Sequence, residues 1–140
     1  MNYLTSALLA AVSFGFYNFF VGKAGNKITP FVATILLSVT GALVAILVTL
    51  IVKYTGGKIT VSPEGIKFAI LAGLTAGIAE IFYFLTFTKN PSITTVLPIV
   101  FTVTVVTGVI LGLLFNNESL STYKFFGMGL SLLALYLLTK

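Results

Sequence analysis

The 140-residue chain has no cysteine, histidine, tryptophan, arginine or aspartate. Without thiols or imidazoles there is no zinc-type ligand set and no His-based or Cys-based catalytic arrangement, so the inventory points away from an enzyme, a metal site or a bound cofactor. Charge is nearly as scarce: 8% of residues are charged and 58% are hydrophobic, where a soluble domain carries roughly 25% charged residues. Too few polar side chains are present to cover a water-facing surface. With a mean hydropathy of +1.13, lipid is the solvent that fits.

What charge there is consists of eight lysines and three glutamates, for a net charge of +5. The lysines lie singly at the ends of apolar runs, as interfacial anchors do, and form no cluster suited to nucleic acid. Between them the chain divides into stretches of about 20 residues, the length that crosses a bilayer.

Five transmembrane helices are expected in a single domain over residues 1–140, at about 3–22, 29–52, 64–88, 92–115 and 121–139. The first lacks the basic residue that a secretory signal would carry before its apolar run, which predicts a span retained in the mature protein. Thr29-Pro30 starts the second, because proline suits a first helical turn, and Lys53, Tyr54 and the Gly56-Gly57 turn close it. Ser62-Pro63-Glu64 reads as cap, first-turn proline and first-turn acid of the third, which Lys89, Asn90 and Pro91 stop. The fourth ends at Asn116-Asn117-Glu118. Ser121 is expected to cap the fifth, with Lys124 and Lys140 at its two ends. The fold class is thus an all-α integral membrane protein, a multi-pass bundle with almost no mass outside the membrane.

An odd number of crossings puts the termini on opposite sides. Lys53, Lys58, Lys67 and Lys124 then fall on one side and Lys23, Lys27, Lys89 and Lys140 on the other. Four against four gives no positive-inside bias to set orientation. Such a tally arises by chance. It also fits dual topology, in which copies insert both ways and pair antiparallel, rebuilding the inverted repeats common among transporters.

Glu80 is the candidate of most interest. It sits about two residues, or about 3 Å, from the middle of the uncharged window around it, at a depth where an ionisable group costs about 2.5 to 3.5 kcal/mol on insertion scales. Gly73, Ala76, Gly77, Glu80, Tyr83, Phe84 and Phe87 recur at spacings of three and four, which places them on one helix face, small residues first and aromatics after. Two readings stand: a carboxylate that binds a proton or a cationic substrate in turn, or a protonated Glu hydrogen-bonded to a neighbouring helix. In the first span Ser13, Tyr17 and Asn18 can share a face and line a substrate path, or Tyr17 and Phe20 can belong to an interfacial aromatic belt. Pro98 cannot donate to the carbonyl of Thr94, so the fourth helix is expected to bend or open near its start, with the hydroxyls of Thr94, Thr95, Thr102 and Thr107 at hand. The pairs Gly73/Gly77, Gly108/Gly112 and Gly127/Ser131 are small-xxx-small packing signals, and Gly108/Gly112 is a candidate dimer interface.

Laid out in this way, the chain resembles one five-helix repeat of the EamA family, within the drug/metabolite transporter superfamily. The resemblance rests on AGLTAGIAEIFYFLTFTK, followed by the early-proline helix SITTVLPIVFTVTVVTGVILGLLF, the acidic turn NNESLS and the Gly-containing KFFGMGLSLLALYLL. In the N-terminal half it rests on ALLAAVSFGFYNFFVGKAG and TPFVATILL. The chain departs from the family where a basic residue usually lies early in the second helix; Thr34, Ile35 and Leu36 occupy that region. Because many relatives carry two inverted repeats, the resemblance implies a half-size transporter that works as a homodimer and exports or exchanges small metabolites or drugs. The expectation is a secondary transporter in a prokaryotic inner membrane, with a small-molecule substrate and membrane lipids as partners. The rivals are a lipid or polyprenyl-carrier flippase and a non-transporting membrane assembly subunit.

Overall fold

The computed structural model describes residues 2–116, 119 and 121–138. Every regular element among them is a helix: α1 (Tyr3–Ala24), α2 (Pro30–Tyr54), α3 (Pro63–Phe87), α4 (Ile93–Phe115) and α5 (Thr122–Leu138). The first four are long and apolar enough to cross a membrane, and α5 is a shorter apolar helix of 17 residues. The protein is therefore an all-helical membrane protein. The end of the fifth helix at Thr139, the Asn117-Glu118 part of the acidic turn, and Lys140 lie outside the described residues.

Local chemistry explains the helix ends. Ser62 Oγ accepts the Gly65 amide at 3.1 Å and Pro63 opens α3, so an orphan amide is satisfied and a missing one costs nothing. Ser92 Oγ accepts the Thr95 amide at 3.2 Å at the start of α4, and Ser121 Oγ accepts that of Lys124 at 3.4 Å before α5. The C-terminus of α2 closes in a Schellman motif. Gly57 N–H donates to Val52 O at 2.8 Å and Gly56 N–H to Lys53 O at 3.2 Å, with Gly56 at φ 75°, a conformation that favours glycine.

Hydroxyls within the helices turn to their own backbone. Thr40 donates to Leu36 O at 2.6 Å, Thr49 to Ala45 O at 2.8 Å, Thr75 to Leu71 O at 3.0 Å and Thr104 to Val100 O at 2.8 Å. A donor facing hydrocarbon has no water to bond, and the carbonyl one turn back satisfies it at no cost to the ladder. Among the described residues no buried side-chain nitrogen or oxygen lacks a partner.

The chain forms two compact units. The first comprises Met1–Asn18 and Pro91–Lys140, and in it α4 packs on α5. The shielded positions of α4 include Thr95, Pro98, Thr102, Val106, Val109 and Leu113, at spacings of three and four, and those of α5 are Met128, Ser131 and Leu135. Both are seams of one helix face. The second unit, Phe19–Asn90, contains the end of α1, all of α2 and all of α3, with α2 packed on α3. Its buried residues gather at one end: Val21, Gly25, Pro30, Ala33, Thr34, Phe84 and Phe87. By contrast, every residue from 38 to 76 is exposed.

Candidate functional site

On α3 the shielded positions are Gly77, Glu80, Ile81, Tyr83, Phe84 and Phe87, so the helix has one covered face and Glu80 lies on it, half-buried. Burial rises along this face toward the C-terminus. Gly73 and Ala76 are exposed, Gly77, Glu80 and Tyr83 are intermediate, and Phe84 and Phe87 are buried at 4% and 2% exposure. The aromatic end is packed, with the Tyr83 and Phe87 rings edge to face at 5.2 Å and 82°. The small-residue end is open, since no atom approaches within 4 Å of a side chain built at Gly73 or Gly77. Glu80 sits at the boundary between the two, one turn before Tyr83.

The end of this face is pinned. A methyl group on Gly25 would collide with Phe87 Cβ and come within 3.3 Å of its Cα, so glycine is what lets the α1–α2 turn reach α3. Beside this contact Asn26 Nδ2 donates to Asn90 Oδ1 at 2.7 Å, joining the α1–α2 turn to the α3–α4 turn. Asn90 adopts φ 54°, a left-handed conformation that asparagine tolerates better than most residues.

The candidates in the first span separate. Asn18 is buried at 3% exposure, with Nδ2 donating to Phe14 O at 2.5 Å. Tyr17 is half-buried, its ring edge to face with Phe14 at 6.1 Å. Ser13 is exposed and donates to Leu9 O at 2.9 Å, so its hydroxyl is committed to its own helix. The candidates also divide by unit. Ser13, Tyr17, Asn18, Pro98, Gly108 and Gly112 belong to the first, and Gly73, Gly77, Glu80 and Tyr83 to the second.

The opening expected at Pro98 is not present: Ile93–Phe115 is one uninterrupted helix with Pro98 inside it. The Ser92 cap anchors the turn before the proline, and the Thr94 and Thr95 hydroxyls engage Ser92 Oγ at 3.0 and 2.7 Å, so the helix start is held by side chains. Of the Gly108/Gly112 pair, Gly108 is exposed with open space around it and Gly112 is buried.

Sequence reasoning passed over Gly25, Asn26 and Asn90. They looked like turn residues, and the bond between Asn26 and Asn90 spans 64 positions, a separation that no local pattern reveals.

Among curated proteins and solved structures none matches the chain. A family model does, over residues 1–140, and its members are membrane transporters rather than enzymes. A match over the whole length, on a chain whose helices are built to cross a membrane, places this protein in the EamA-like transporter family.

Proposed function

We propose that the chain is a secondary transporter of small metabolites or drugs in a prokaryotic inner membrane, coupled to protons through Glu80. The observation that carries this reading is the position of Glu80, half-buried on the one covered face of α3. A carboxylate at that depth is costly and marks a pathway or relay by default. Ionised, it attracts a cationic group on the substrate. Protonated, it releases that group, and alternation between inward-open and outward-open conformations turns the exchange into transport. Tyr83 supplies an aromatic wall one turn away.

The working form is a homodimer of antiparallel copies with dual topology. Two observations support it: the four-to-four lysine split, and the exposure of every residue from 38 to 76, which include the open small-residue groove at Gly73 and Gly77. Fusion of a one-sided reporter to the C-terminus tests the topology. Signal from both sides, shifting when one lysine is added near a terminus, is the expected result, and a fixed orientation overturns the antiparallel form.

Glu80→Gln in reconstituted vesicles tests the coupling. Uptake of the transported compound driven by a pH gradient should fall at least tenfold while the protein remains folded. Unchanged pH dependence sinks the role assigned to Glu80.

A further inference from the structure

The clasped end of the second unit carries a feature that the transport reading does not use. The α1–α2 turn borders an open cleft of about 390 Å³, lined by residues 25–30 and Thr88. Lys27 is part of the lining. Lys89 follows Thr88 directly in the chain, and Lys23 stands one turn before the α1–α2 turn with Nζ 5.6 Å from the centre of the Phe19 ring. All three lysines are exposed, and residues 19–63 and 81–90 contain no acidic side chain to neutralise them. The bond between Asn26 and Asn90 and the close approach of Gly25 to Phe87 hold the two lysine-bearing turns together. Lys89 is thus brought by tertiary contacts to the turn that follows Lys23 and carries Lys27.

The depth of the cleft narrows the choice of ligand. At about 1.5 Å per residue, α2 and α3 are each about 37 Å long, and the hydrocarbon core is about 30 Å thick. Their ends thus reach the layer where lipid phosphates lie. Dense anions at this level, facing a basic cleft lined by Asn26 and Thr29, are the arrangement by which membrane proteins hold acidic lipid headgroups.

We infer that this cleft is a binding site for the phosphate of an anionic phospholipid headgroup, with Lys27 and Lys89 as its charged contacts and the Asn26–Asn90 bond as the positioning element. The inference does not depend on what the protein transports.

Native mass spectrometry of the full chain in detergent micelles, titrated with dioleoyl phosphatidylglycerol, tests it. The wild type should retain this lipid in preference to dioleoyl phosphatidylcholine. Each of Lys27→Gln and Lys89→Gln should weaken retention about fivefold, and Asn26→Ala should weaken it with both lysines in place. The double variant Lys58→Gln/Lys67→Gln, altered around the α2–α3 connection, should bind as the wild type does. Equal losses in both sets of lysine variants would mean general attraction of a cationic protein for anions and would overturn the site. Equal retention of the two lipids, or displacement of phosphatidylglycerol by millimolar inorganic phosphate, would overturn the headgroup assignment.

Discussion

The two ends of the second unit are built from the same pair of helices and are held in opposite ways. At one end α2 and α3 bury Ala33, Thr34, Phe84 and Phe87, and a glycine contact and an asparagine pair tie the turns together. At the other, residues 38–76 are exposed throughout, and what defines the structure is local: the Ser62 cap, the Pro63 start and the Gly56-Gly57 closure. In lipid, apolar exposure carries no penalty, so a helix pair can leave one end open without becoming unstable. The closed end shows what is added where the chain must hold one geometry: shape fit and a hydrogen bond, not more hydrophobicity.

That contrast can be broken by substitution. The largest effect should follow Phe87→Ala, which removes a ring at 2% exposure and should cost about 2 to 3 kcal/mol of packing. Phe68→Ala, at 59% exposure on the open half of the same helix, should stay within about 0.5 kcal/mol. Thermal unfolding followed by circular dichroism in one detergent compares them, and similar losses would mean that the two ends are not different in kind.

Glycine substitutions come next. Gly25→Ala should destabilise by about 2 kcal/mol because its methyl group meets the Phe87 backbone. Gly73→Ala has open space and should leave stability unchanged or raise it by up to about 1 kcal/mol through helix propensity. A neutral Gly25→Ala would show that the α1–α2 turn can give way.

Ser62→Ala sharpens the comparison from the other side, since at the open end a cap should matter more than any apolar contact. Loss of the bond to Gly65 N should cost about 1 kcal/mol, visible as faster hydrogen exchange at the start of α3 even if global unfolding moves little. The smallest effect is expected for Asn26→Ala, at about 0.5 kcal/mol, because the bond it removes is exposed. Faster exchange in both adjoining turns, and not in one alone, would identify it as the tie between them.

The parts of this architecture that depend on chain chemistry near in sequence were legible without coordinates. Charge scarcity fixed the solvent, and serines and prolines marked helix starts where Ser62 and Ser121 do accept a first-turn amide. The three-and-four spacing from Gly73 to Phe87 picked out the face of α3 that is covered from Gly77 onward, because a helix converts spacing into a face directly, but it did not show that Gly73 and Ala76 are exposed. Spacing alone did not reveal that Ser13, on the same face as Tyr17, is the more exposed of the two, because burial depends on what packs there. At Pro98, where a bend or an opening was expected, α4 runs on as one helix. The Gly25 contact and the Asn26–Asn90 bond join residues more than 60 positions apart and leave no mark on either local sequence.

The division of the chain also sets an order of assembly during synthesis. The second unit is one continuous segment, Phe19–Asn90, whereas the first is made of two, Met1–Asn18 and Pro91–Lys140. A ribosome that has just delivered Asn90 has supplied everything the continuous unit needs. The opening two-thirds of α1 must still wait in the bilayer for the last 50 residues, a delay of about 3 to 10 s at ordinary elongation rates of about 5 to 20 residues per second.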